Sequence, residues 1–259
     1  MTKIEPKIQA QVDQILAKVH NGKRITYDEG LLIYQHADLL DLADAANSRR
    51  QQLVPGDVVT YLIDRNINYT NVCVTDCQFC NFYALPGDDK KGYVNSKLIL
   101  GKKIEEALAL GATRILMQGG HNPDLPYEYY IDLVGWIHKT FPTIEINAFS
   151  PSEIQYMSEM GGKTWRETLT ELKAVGLMGL PGGGGEILDD EIRHRVTPKK
   201  IMTDDWFGVM KIAHELGLIT TTTMVIGFRE ELRRRFRQAP RGRFTASGTT
   251  SRARSTSSS

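Results

Sequence analysis

The sequence predicts an α/β fold, a parallel-stranded barrel or part of one behind an N-terminal helical extension, and three observations predict it. Short β-prone runs alternate with helical periodicities at about the 30-residue spacing of parallel strands joined by helical crossovers. One junction, helix then glycine stop then apolar run, recurs at Ala107–Gly111 before Ile115-Leu116-Met117, at Leu172–Gly176 before Leu177-Met178, and at His214–Gly217 before Ile219 to Ile226. Polar and glycine-rich strings fall just after the expected strands, where such folds gather their chemistry.

Taken in order, Ile8, Val12, Ile15, Leu16 and Val19 recur at helical spacing and stop at Asn21-Gly22, which suits a helix C-terminus. Thr26 and Glu29 make a capping-box pattern ahead of Leu31-Leu32-Ile33, and a third helix is expected from Asp38. Val58-Val59-Thr60-Tyr61-Leu62-Ile63 reads as a β-prone segment leading to the cysteines, and Ile144–Ala148 reads as another strand. With the three junctions this makes about five β/α units. Trp206, Phe207 and Met210, at helical spacing after a Thr203 cap, are expected in the core. The domain reading is residues 1–55 as helical extension, 56–228 as the partial barrel, and 229–259 as a disordered tail rich in Arg and Ser.

Composition narrows the function classes. The 259 residues are 41% hydrophobic and 24% charged, with no apolar run near the ~20 residues of a membrane span and no apolar signal core at Met1–Lys7. A cytoplasmic protein without membrane partners is expected. The net charge of +1 conceals two parts, because residues 229–259 hold nine Arg against Glu230 and Glu231 as the acids there, leaving the body acidic. An acidic body offers no basic stripe for a phosphate backbone, so no nucleic-acid partner is expected.

All three cysteines, Cys73, Cys77 and Cys80, fall in one polar loop with Asn71, Thr75, Asp76, Gln78 and Asn81. An odd, clustered set is not the even, spaced framework of a disulfide-stapled domain. Structural zinc sites want four N or S ligands in paired spacings, and only one C-x2-C pair exists here. Three thiolates on a 4Fe-4S cluster leave one iron open for a ligand, and a short C-x3-C-x2-C loop can deliver three sulfurs from one side. Phe79, beside the last cysteine, is placed to shield such a cluster.

The run Asn68–Tyr83 is similar to the corresponding segment of radical S-adenosylmethionine (SAM) enzymes of the futalosine and deazaflavin pathways. Within them it resembles most the cyclic dehypoxanthine futalosine synthases, through Gly56–Tyr61, Asp64–Tyr69, Gln118–Pro126 and Leu180–Leu188. The resemblance covers about Arg24 to Phe228; residues 229–259 depart from it, and the expectation is a C-terminally truncated or frameshifted chain on an incomplete TIM-type radical SAM barrel.

That resemblance implies a step of menaquinone biosynthesis with a [4Fe-4S] cluster on Cys73, Cys77 and Cys80, and with S-adenosyl-L-methionine as the second cofactor. The reduced cluster passes an electron to the sulfonium, a 5'-deoxyadenosyl radical removes hydrogen from the substrate ribose, and the carbon radical cyclises onto the substrate's aromatic ring. The implied partners are a small nucleoside-derived substrate and an electron donor such as flavodoxin or ferredoxin. Sister enzymes making aminofutalosine or a deazaflavin precursor stay open, as does an inactive metal-binding fragment.

For the cofactor site the candidates are Phe79, Gly119, Gly120, Ser150, Glu186 and Arg193. Gly119-Gly120 lets backbone approach a ligand, or is an ordinary βα turn. Ser150 and Glu153 follow a strand and face a ribose, or Ser152 is a helix N-cap with Glu153 in the first turn. Through the resemblance, Glu186 and Arg193 are expected at the amino and carboxylate groups of S-adenosylmethionine, with Arg195 competing for the second role. His121 is a substrate contact or a structural histidine. Gly182–Gly185 lacks the Gly-Lys-Ser/Thr of a nucleoside-triphosphate loop.

Overall fold

Pro6 at the first helical turn opens α1 (Pro6–His20) in the computed structural model, which describes residues 5–235. Thr26 and Glu29 form the expected capping box at α2 (Tyr27–His36), with each backbone N–H bonded to the other's side chain, a device worth about 1 kcal/mol. Asp38 caps α3 (Leu39–Leu53) by accepting from the Leu40 N–H at 2.8 Å. These three helices enclose a small core of Val12, Leu16 and Ala45, separate from the main one.

The main body is one parallel sheet in the order β1 (Asp64–Asn68), β2 (Arg114–Gln118), β3 (Glu145–Ala148), β4 (Gly179–Leu180), β5 (Ile219–Thr220). Strand order equals chain order because each strand returns beside its predecessor through helices. These are α4 (Lys97–Ala109), α5 (Tyr127–Thr140), α6 (Pro151–Gly161), α7 (Trp165–Ala174), α8 (Asp190–Val196) and α9 (Thr203–Glu215). The expected glycine stops are real: Gly111, Gly176 and Gly217 all have positive φ, which lets the chain reverse from helix to strand. Ile115 and Met117 of β2 are fully buried and alternate with half-buried Arg114, Leu116 and Gln118. One face of the sheet thus packs on helices while Gln118 points to the other side, at the strand's C-terminal end. Trp206 and Met210 are fully buried and Phe207 packs against the core, as the spacing predicts.

Three sequence expectations are corrected. Val58–Ile63 is not a strand: Val58, Val59 and Tyr61 are exposed, and the ladder begins at Asp64, which pairs with Arg114, the first residue of β2. β-branched composition fits a sheet surface but supplies no neighbour to pair with. Pairing also stops at Thr220 rather than Ile226, because its partner β4 ends at Leu180 where the glycine run begins. Thr203 is the first residue of α9 rather than its cap, and its N–H goes to Asp190 Oδ1 at 2.9 Å.

Of the basic C-terminal stretch, Glu230, Arg234 and Arg235 are described and paired: Arg234 bonds Asp189 and Glu191, and Arg235 bonds Glu230. The expectation of disorder covers residues 229–259, of which 229–235 are described and 236–259 lie outside the described residues.

Candidate functional site

A cavity of about 430 Å³ opens at the C-terminal ends of β1 to β4 and is walled on one side by the cysteine loop. Asn68 ends β1, Gln118 ends β2 and is followed by Gly119-Gly120, Ser150 follows β3 and Gly183, Gly184 and Glu186 follow β4, so each of β1 to β4 contributes a rim residue. The cavity lies beside the polar and glycine-rich strings that follow the strands.

All three cysteines line this cavity and none is in a disulfide. The loop is pinned by Cys73 N–H to Ala84 O at 2.9 Å and Val74 N–H to His121 O at 3.1 Å. The Thr75 hydroxyl lies 2.9 Å from Cys73 Sγ and 3.5 Å from Cys77 Sγ, the Thr197 hydroxyl lies 3.0 Å from Cys77 Sγ, and the His121 N–H donates to Cys73 Sγ at 3.3 Å. Two hydroxyls and an amide are thus gathered around the sulfurs of Cys73 and Cys77. Among the described residues no three His, Cys, Asp or Glu side chains converge on one point as a single ion would need. Cys73, Cys77 and Cys80 all line one cavity, and thiolates are the ligands of iron-sulfur clusters, so the donor set fits such a cluster.

The glycines at the end of β2 have a different cause from the one expected. A Cβ on Gly119 would lie 2.4 Å from the Tyr69 ring, and one on Gly120 would lie 2.1 Å from the Val72 carbonyl. Protein already fills the space, so both glycines allow β2 to close against β1 and the cysteine loop. They still present backbone to the cavity.

Glu153 sits behind them. Its carboxylate accepts from Tyr69 Oη at 2.8 Å, the Gly119 N–H at 2.9 Å and Ser150 Oγ at 2.7 Å. Ser150, and not Ser152, is the N-cap of α6, accepting from the Glu153 N–H, so its hydroxyl is committed on both sides while it lines the cavity. Burial pushes the Glu153 carboxyl up to about 7, against the opposing effect of those three hydrogen bonds. Because the folded form holds its proton more tightly than the unfolded chain, its contribution to stability is complete below the ordinary carboxylate range and is lost as pH rises to about 7. Glu153→Gln keeps the acceptor for Tyr69 and Gly119 and removes the titration. The expected result is that wild type loses up to about 3 kcal/mol relative to this variant between pH 4.5 and pH 8, read by urea unfolding, and parallel pH profiles would refute it.

Glu186, at an uncommon φ of 30° for a non-glycine residue, turns its carboxylate into the cavity. Its Oε1 accepts from Lys200 Nζ at 3.1 Å and from the Gly184 N–H at 3.2 Å, whereas Oε2 is buried with no hydrogen-bond partner among the described residues and lies 3.9 Å from Arg193 Nη1. Burial opposes the charge on Lys200, but Glu186 and Cys77 outweigh it and hold the amine above its ordinary range. Among the described residues, Lys200 is the one lysine or arginine on the cavity wall. Burial, with Lys200 adding to it, pushes His121 down to about 3, and the neutral ring stacks on Tyr156 with centroids 4.7 Å apart.

Arg193 departs from expectation. It is fully buried, does not line the cavity, and donates all five N–H groups to backbone carbonyls: Nε and Nη2 to Ile201, Nη1 to Gly185 and Ile187, Nη2 also to Gly184. It braces the glycine loop that carries Glu186 rather than facing a ligand. Arg195 is exposed and donates to the Phe228 carbonyl. Phe79 lines the cavity as expected, packed on Phe228 at 5.2 Å with Lys200 Nζ 5.8 Å from its ring. The sequence pattern did not mark Lys200, Thr75 and Thr197 as site residues. Lys199-Lys200 looks like a solvated charge pair, and nothing local distinguishes the half-buried Lys200 from its exposed neighbour.

The signature of the radical SAM superfamily matches residues 67–239. The chain is 42% identical over 224 residues to the cyclic dehypoxanthine futalosine synthase of Halalkalibacterium halodurans, covering 86% of this chain and 60% of that protein. It is 37% identical over 223 residues to the 5-amino-6-(D-ribitylamino)uracil–L-tyrosine 4-hydroxyphenyl transferase of Nostoc punctiforme, covering 83% and 58%. The crystal structure of methylornithine synthase shares the fold, with a TM-score of 0.66 at 14% identity over 88% of this chain and 64% of that one. The chain therefore spans a little under two thirds of the length of these two curated relatives.

Proposed function

The chain belongs to the radical SAM superfamily, and from that premise we propose that its site carries out the radical cyclisation of dehypoxanthine futalosine in menaquinone biosynthesis. The observation that carries this reading is the placing of three free cysteines of one loop on the wall of a cavity that also receives the Glu186–Lys200 pair. The 42% identity to a cyclic dehypoxanthine futalosine synthase supports that reaction.

Cys73, Cys77 and Cys80 would hold a [4Fe-4S] cluster, and Phe79 would cover one side of it. Bound with S-adenosylmethionine, such a cluster would supply one-electron reductive cleavage of the sulfonium. The protein's part is to bind, orient and exclude water. Glu186 Oε2, buried and unpartnered, is an acceptor for an ammonium group, and Lys200 beside it is a donor for a carboxylate. Together they suit the two ends of an α-amino acid, with Arg193 holding their loop from behind. Gly119 and Gly120 form the floor, fixed by Glu153. Residues 1–55 would add a helical cover and 56–228 the working partial barrel.

A second reading is favoured by the 37% identity to the hydroxyphenyl transferase, whose name gives a ribitylaminouracil and tyrosine as its reactants. Anaerobically reconstituted protein, supplied with a chemical reductant and S-adenosylmethionine, separates the two. Formation of 5'-deoxyadenosine with dehypoxanthine futalosine, together with a cyclised product, supports the cyclase. Turnover only with the uracil and tyrosine supports the transferase, and zinc uptake without a reducible cluster overturns both.

A further inference from the structure

Residues 195–200, of which the sequence singles out Arg195 alone, run along the cysteine loop and bond it almost residue by residue. Gln78 donates its side chain to the Arg195 carbonyl and its backbone N–H to the Val196 carbonyl, both at 3.0 Å. Thr197 Oγ1 lies 3.0 Å from Cys77 Sγ, Lys199 Nζ donates to Asp76 Oδ2 at 2.8 Å, and Lys200 Nζ stands over Phe79. Four consecutive loop residues, Asp76 to Phe79, are thus gripped by the C-terminal end of α8 and the turn that follows it. The Thr197 side chain is fully enclosed. A buried threonine whose hydroxyl reaches a ligand sulfur from a segment 120 residues away is a placed group rather than a surface accident.

From this juxtaposition we infer that Thr197 and Lys200 are positioning residues for the cluster: the Thr197 hydroxyl holds the Cys77 thiolate by an O–H···S hydrogen bond, and the Lys200 ammonium adds positive charge on the same side, together raising the cluster's reduction potential. The inference rests on the cluster reading above. A donated hydrogen bond removes electron density from sulfur, and a nearby cation stabilises the state that carries the extra electron. Both make reduction easier. Because Lys200 also grips Glu186, the segment links the electrostatics of the metal site to occupation of the amino-acid pocket.

The test is the midpoint potential of the reconstituted cluster, followed by the EPR signal of its reduced form in a redox titration of the full chain. Thr197→Val and Lys200→Met are each expected to shift the midpoint to more negative values. Thr197→Ser, which keeps the hydroxyl, Lys200→Arg, which keeps the charge, and Lys199→Met, which removes an exposed neighbouring charge, are expected to stay near wild type. Wild-type midpoints in both Thr197→Val and Lys200→Met overturn the inference while leaving the cluster reading intact. Should Thr197→Val fail to retain iron, Lys200→Met and its arginine control decide alone. A wild-type chain that assembles no reducible cluster overturns inference and reading together.

Discussion

Cys73→Ala, Cys77→Ala and Cys80→Ala are each expected to reduce iron content after reconstitution to background and to abolish S-adenosylmethionine cleavage. Two thiolates cannot hold a cluster in one orientation, and among the described residues no other Cys, and no His placed to replace a lost sulfur, stands on the cavity wall: His121 offers its backbone N–H to Cys73 while its ring stacks on Tyr156. The apoprotein should survive the change. Each substitution removes one sulfur from a loop held mainly by backbone bonds to Ala84, His121 and Val196, so the stability cost should be on the order of 1 kcal/mol. Iron analysis, the visible absorbance of the cluster and thermal unfolding of the apoprotein separate loss of ligand from loss of fold. Full iron in any one variant would remove that cysteine from the ligand set.

The parts of this molecule that were legible in the sequence are those governed by local chemistry. The capping box at Thr26 and Glu29 needs only four residues, and Gly111, Gly176 and Gly217 mark their turns because a left-handed backbone tolerates little else. The cysteine loop was legible because three thiols within eight residues of a polar segment suit metal ligation and little else. What stayed hidden depends on residues far apart in the chain. Val58–Ile63 has strand composition, but pairing is decided by where β2 begins, about fifty residues later. The two glycines that follow β2 suggested approach of a ligand, while the atoms that a side chain there would meet belong to Tyr69 and Val72. Lys200 and Lys199 are adjacent and chemically identical in the sequence, yet one faces Glu186 in a cavity and the other Asp76 in solvent. Only the fold distinguishes them.

Arg193 is where the fold departs furthest from the sequence pattern, and it carries the second large expected effect. A guanidinium with five N–H groups on four carbonyls is a brace: remove it, and the oxygens of Gly184, Gly185, Ile187 and Ile201 lose buried donors. Each unsatisfied carbonyl costs roughly 1–3 kcal/mol, and water entering the space offsets part of that. The expected result is that Arg193→Ala lowers unfolding free energy by about 3–5 kcal/mol, by analogy with breaking other buried charged networks. Arg193→Lys should recover little, since an ammonium has three donors and lacks the planar fork that reaches carbonyls on both sides. Arg195→Ala, on the surface, should stay within about 0.5 kcal/mol of wild type. Urea unfolding of the three variants measures these differences, and calorimetric binding of S-adenosylmethionine to the reconstituted proteins assigns the role. If Arg193→Ala kept wild-type stability and lost only affinity, the arginine would be a ligand-binding group and the brace would be wrong. Loss of stability in Arg193→Ala, with loss of affinity and retained stability in Lys200→Met, places the cavity's working cation on Lys200 and makes Arg193 the residue that holds Glu186 in place beside it.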